Sequence, residues 1–158
     1  MPEIVLDVTQ DEYEKAGSKF ITFNPSDPVG KLYYKEVELD VPDWDNVGIS
    51  LKFPIRITEK GPDEGKEDKM SCGVGKEAIW KLKDTLKELG VKLEMRKGAD
   101  KQTHPVFDSD EVAGKKAVGC WEVQIGSKGG DKSRGEIKYP KLVAIYAAGY
   151  KPAVKGLV

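Results

Sequence analysis

The stretch Lys76 to Gly90, KEAIWKLKDTLKELG, is the only segment of this chain with strong helical periodicity. Ile79, Leu82, Leu86 and Leu89 recur at spacings of three and four, which sets four apolar side chains on one stripe. Glu77 and Lys81 stand four apart in the favourable order, so the solvent side supports the helix as well. Gly75 can open the helix, and Gly90, just past Leu89, can take the left-handed conformation that closes it. One amphipathic helix cannot bury its stripe alone. The rest of the chain reads as strand and loop, so the strands must fold around it.

The clearest strand runs from Gly48 to Thr58. Ile49, Leu51, Phe53, Ile55 and Ile57 fill every second position, with Ser50, Lys52, Pro54, Arg56 and Thr58 between them. Pro54 has no N–H to give a ladder, so the strand needs an edge or a bulge there. Lys31 to Val41 precedes it as a strand with Tyr33, Val37, Leu39 and Val41 on one face and Tyr34, Glu36 and Glu38 on the other. Pro42 stops that strand, and PDWDNVG forms a loop carrying Trp44. After the charged hairpin loop EKGPDEGKED, Met70, Cys72 and Val74 alternate into the helix as a third strand. Beyond the helix, residues 91–114 read as loop anchored by Val106, Phe107 and Val112. Lys115 to Ile125, with Ala117, Gly119, Trp121, Val123 and Ile125 on one face, and Ile137 to Tyr146 make the last two strands. The loop between them, GSKGGDKSRG, is glycine-rich and expected to be mobile. Near the N-terminus Ile4, Leu6 and Val8 alternate as a short strand, followed by polar sequence and the turn-rich FITFNPSDPVG.

A chain of 158 residues suits one domain with a real core, placed at 1–146 with an irregular N-terminal extension, and a flexible tail at 147–158. No run approaches the roughly 18 apolar residues of a membrane span. The start MPEIVLDVTQDEYEK lacks the basic-then-apolar pattern of a secretory signal. Cys72 and Cys120 are too few for a disulfide framework, so a cytoplasmic setting is expected. With 26 basic and 27 acidic residues the net charge is −1, which argues against a uniformly basic coat but leaves room for a local basic groove.

The order is therefore three strands, a helix and two strands. It predicts a mainly β chain with an OB-fold-like five-stranded Greek-key barrel, its one amphipathic helix between strands three and four plugging an end. On ISLKFPIRITEKG, WKLKDTLKELGV and AGKKAVGCWEVQIGSKGG, over roughly Phe20 to Tyr146, the chain resembles phage- and prophage-encoded proteins grouped with OB-fold single-stranded-DNA-binding proteins. That resemblance implies phage-type DNA replication or recombination in a host cytoplasm, with single-stranded DNA and replication or recombination proteins as partners. Many such binders end in an acidic tail. This chain departs from them with KPAVKGLV.

Catalytic and metal chemistry find little support. His104, the only histidine, lies in the turn-like QTHPVFD, and neither cysteine has CxxC or HxxxH company, so no metal or cofactor site is expected. SCGVGKEA departs from a phosphate-binding loop because Glu77, not Ser or Thr, follows Lys76, and Ser71 sits in no nucleophile motif. A single-strand-binding face needs stacking platforms and cations along the backbone path. Lys52 and Arg56 on one strand, Lys69 on the next and Lys128, Lys132 and Arg134 in the late loop are the candidate cations, and Tyr34, Trp44 and Tyr139 the candidate platforms. The plainer alternative for each is a solvated strand face, a barrel cap or a flexible connector. The expected function is non-enzymatic binding of single-stranded DNA with little sequence preference. A protein-interaction module of a phage replication or virion assembly without nucleic-acid affinity is the alternative. An enzyme whose carboxylates, such as Asp63, Glu64, Glu67 and Asp68, bind a metal is the third, and a solvated loop explains those carboxylates more simply.

Overall fold

The computed structural model describes residues 3–10, 20–45, 48–127 and 136–152. Among the described residues the elements follow in the order β1 Leu32–Leu39, β2 Asp43–Trp44, β3 Ser50–Ile57, β4 Glu67–Gly73, α1 Ile79–Glu88, β5 Glu94–Lys97, β6 Thr103–Val106, a single 3-10 turn Ser109–Glu111, β7 Lys116–Ser127 and β8 Glu136–Ala147. Six strands form one sheet in which β3 carries β4 on one side and β1 and β2 on the other, while β1 leads on to β7 and β8. Among the described residues every ladder is antiparallel.

Four of the five residues in the alternation read at β3 are core, whereas Ile49 precedes the strand and is 67% exposed. Leu51, Phe53, Ile55 and Ile57 are buried together with Val37 and Leu39 of β1, Met70 and Cys72 of β4, Trp121 of β7 and Leu142 of β8. Trp121 is fully buried, and its indole N–H donates to Asp68 Oδ2 at 2.8 Å, which satisfies the one polar atom of that ring. Pro54 falls where β1 gives way to β2. Leu39 pairs with Ile55 and Asp43 with Lys52, so the register slips by one residue between them, and only the Pro54 carbonyl is used, by the N–H of Asp40. Trp44, expected in a loop, thus lies on a strand opposite Leu51.

The helix is shorter than its pattern. It opens without a side-chain cap and ends in a paired motif, with the Gly90 N–H on the Lys87 carbonyl and the Val91 N–H on the Leu86 carbonyl. Gly90 has φ +69°, as expected. Leu82, Leu86 and Leu89 are buried, whereas Ile79 stays 40% exposed.

The closed barrel is not formed, and this corrects the OB-fold expectation. The outer strands β4 and β8 run close to each other without a ladder, leaving an open sheet. The helix stands at that seam and occupies backbone groups of both edges. Lys81 Nζ donates to the Ser71 carbonyl of β4 at 3.4 Å, and Glu88 Oε2 accepts the Ala147 N–H of β8 at 2.9 Å. Residues 94–106, expected as loop, form a separate two-stranded hairpin. Its turn places Lys101 at φ +65° behind a tight bend, with the Gly98 N–H on the Gln102 carbonyl. The N-terminal stretch expected as a strand has none: Ile4, Val5, Leu6 and Val8 are exposed. Among the described residues no helix is long and apolar enough to cross a membrane.

Candidate binding groove

The cations expected to line a DNA groove alternate with carboxylates instead. Lys52, Lys69 and Arg56 do share the outer face of β3 and β4. Lys52 stands opposite Asp43, while Arg56 lies between Glu38 and Glu67, with an ion pair to Glu38 Oε2 at 3.1 Å. Three cations therefore face three carboxylates, and such a row offers phosphate no net positive track. Lys128, Lys132 and Arg134, with the loop expected to be mobile, lie outside the described residues. The single-strand-binding function is corrected with the barrel. The surface it required belongs to a closed OB barrel, and the sheet here is open.

The expected platforms are dispersed. Tyr34 pairs with Cys120 on the outer face and joins Tyr146 and Tyr150, whose rings stack at 4.1 Å and 15°. Burial, then the neighbouring Cys120 and tyrosines, push the Tyr34 hydroxyl up to about 12. These tyrosines pack on one another, with Tyr34 and Tyr146 half-buried. Tyr139 sits farther along β8 against Phe20, with ring centroids 6.1 Å apart. Both cysteines are buried and free. Cys72 packs in the core, whereas Cys120 follows the opposite parity from Trp121, so they lie on different faces of the sheet. Burial raises both thiols. His104 lies on β6 with Nε2 2.7 Å from Asp100 Oδ2, both side chains about half exposed. No group of three or more His, Cys, Asp or Glu that could hold a metal occurs among the described residues.

Trp44 alone of the expected residues opens on a substantial apolar cleft. A groove of about 710 Å³ lies between β2, the end of β4, α1 and the projecting β5–β6 hairpin. Its floor is Leu51, Leu82 and Leu86, all buried, with Val74 beside them. Trp44 and Pro42 form one wall and Ile79 with Lys83 another. The third wall is the hairpin, whose Leu93 and Met95, two apart on β5 and its approach, face the groove with Pro105 and Phe107 on the other limb. Met95 pairs directly with Pro105, so the groove side of this small sheet is apolar at that pair, with Lys97 and Thr103 farther along the same face, and the other face carries Glu94, Arg96 and His104. Trp44 is 54% exposed, Met95 66% and Leu93 41%. Asp43, Lys83 and Ser109 are the polar members of the lining. No family model, curated protein or solved structure matches the chain.

The sequence did carry a signal for the missing wall. Val91, Leu93 and Met95 alternate with Lys92, Glu94 and Arg96, and Pro105 and Phe107 repeat the spacing after the GADK turn. The run is short and breaks at Lys97–Gly98, which hides it within a charged stretch. A second cleft, of about 490 Å³, follows the seam between α1 and β8 and mixes Trp80, Asp84, Glu88 and Tyr146, so charge and aromatic surface alternate there. The β2–α1–hairpin groove is the larger and the more continuously apolar.

Proposed function

We propose that this chain is an interaction module that works by binding, and that its working surface is the groove between β2, α1 and the β5–β6 hairpin. The observation that carries this is a cleft of about 710 Å³ lined mainly by aliphatic and aromatic side chains, several of them still exposed. A cleft of that size falls within the range of ligand pockets, and apolar lining with few polar groups suits an apolar side chain or chain segment. Filling it removes Trp44, Ile79, Leu93 and Met95 from water, worth about 25 cal/mol per Å² of apolar surface covered. An amphipathic strand presenting alternate apolar residues matches the alternation of the hairpin wall.

The dye 8-anilinonaphthalene-1-sulfonate tests the groove directly. Its fluorescence rises on binding the folded chain, and Met95→Glu reduces its affinity about tenfold because a carboxylate then enters an apolar wall. Lys52→Ala leaves that affinity unchanged. Equal dye affinity in wild type and Met95→Glu, with both proteins folded, overturns the assignment.

A further inference from the structure

Residues 3–8, EIVLDV, hold the two most exposed aliphatic side chains of the described residues, Ile4 at 87% and Val5 at 90%, with Leu6 at 60% and Val8 at 49% beside them. Three consecutive exposed apolar residues, Ile4 to Leu6, with Val8 just beyond Asp7, are a liability in water unless something covers them. Ile4, Leu6 and Val8 recur at every second position, so as an extended strand the segment has one apolar edge three side chains long. The same chain leaves an apolar groove open, and its own residues 3–8 do not fill it. The charges match as well. The segment carries Glu3 and Asp7, while the groove has Asp43 on its β2 wall, Lys83 on its α1 wall and Lys97 on the same hairpin face as Met95, so the acidic side chains meet cations on the α1 and hairpin sides.

We infer that the groove receives residues 3–8 of a second copy of this chain, so that two copies exchange N-terminal arms. This rests on the groove assigned above and names its occupant. Ile4, Leu6 and Val8 enter the groove against Leu93, Met95 and Trp44, and Asp7 meets Lys83 or Lys97. One arm and one groove per chain make the contact reciprocal, so exchange closes at a twofold dimer and leaves neither apolar surface open.

Sedimentation equilibrium of the full chain across about 5–500 μM tests this. The wild type associates to a dimer. Leu6→Asp on the arm and Met95→Glu on the groove each weaken association by about tenfold or more, as expected for loss of one buried aliphatic contact at each of the two grooves. Both positions are largely exposed, so at low micromolar concentration, where little dimer forms, both variants keep the wild-type circular dichroism and thermal midpoint. Mixing the two variants restores partial dimer, because Leu6→Asp retains an intact groove and Met95→Glu an intact arm. A wild type that stays monomeric at 500 μM overturns arm exchange, as does a dimer that survives both substitutions. If the wild type is monomeric yet still binds the dye in a Met95-dependent way, arm exchange fails and the groove stands. If dye binding ignores Met95, the groove fails first.

Discussion

Asp63 is the only charged side chain in the buried core set among the described residues, at 2% exposure. Its Oδ1 accepts the Thr22 N–H at 2.8 Å, the Thr22 hydroxyl at 2.9 Å and Lys66 Nζ at 2.8 Å, while Oδ2 faces Lys35 Nζ at 3.6 Å. Lys66 also donates to the Phe20 carbonyl, so one carboxylate ties residues 20–22 to the β3–β4 turn. Burial alone would raise its pKa, but the Lys66 ammonium and the Thr22 donors outweigh it and hold the carboxyl below the ordinary value. A depressed folded pKa means stability that is present above the unfolded value and is lost as pH falls through the folded one. Asp63→Ala strands two part-buried ammonium groups and costs about 2–3 kcal/mol at pH 7, the lower end for a broken buried pair because both lysines keep some water. Asp63→Asn, which cannot titrate, makes the loss of stability below about pH 4 shallower than in wild type. Urea midpoints at pH 7 and pH 3 read both effects, and an unchanged acid loss in Asp63→Asn contradicts the account. In sequence, this aspartate was one of five carboxylates in the charged loop EKGPDEGKED. Its burial depends on Thr22, 41 residues away, a contact that no local pattern encodes.

At the scale of elements, α1 was the most legible part of the chain because its period and its closing glycine agree. Leu86 is 3% exposed and sits under both the core and the groove floor, so Leu86→Ala costs about 2–5 kcal/mol. Gly90→Ala costs about 1–2 kcal/mol through the left-handed backbone alone, since a Cβ there meets nothing within 4 Å. Chemical denaturation separates the two substitutions, and a Leu86→Ala midpoint equal to wild type would show that the helix is not a core element. The strands β3, β4 and β7 were legible for the same reason, one apolar face at period two, whereas in β8 the bulge opposite Cys120 and Trp121 breaks the period between Leu142 and Ile145. Trp44 and the β5–β6 hairpin were not. Two residues make too short a strand to show a period, and a hairpin with one face toward a groove and the other toward water buries too little to announce itself. The N-terminal alternation misled in the opposite sense: Ile4, Leu6 and Val8 have the strand period but no described neighbour to pair with.

Over the whole molecule, local patterns set most of the elements but not how the sheet ends. Closure of a barrel depends on whether the first and last edges meet in register, and here the helix side chains Lys81 and Glu88 take up backbone groups of both edges. The charge row on β3 was misread for a related reason. Lys52 and Arg56 are visible in sequence, but Asp43, Glu38 and Glu67 become their neighbours only through strand register. What the fold leaves apolar within one chain is the groove, and amide spectra of the isotope-labelled full-length Leu6→Asp variant, whose groove is intact and not filled by an exchanged arm, titrated with 8-anilinonaphthalene-1-sulfonate test its role most directly. The account predicts shifts concentrated at Trp44, Leu51, Val74, Ile79, Leu93, Met95 and Phe107, with Lys52, Arg56 and Lys69 unmoved. Shifts centred on Tyr34, Tyr146 and Tyr150, or no localised shifts at all, would contradict it.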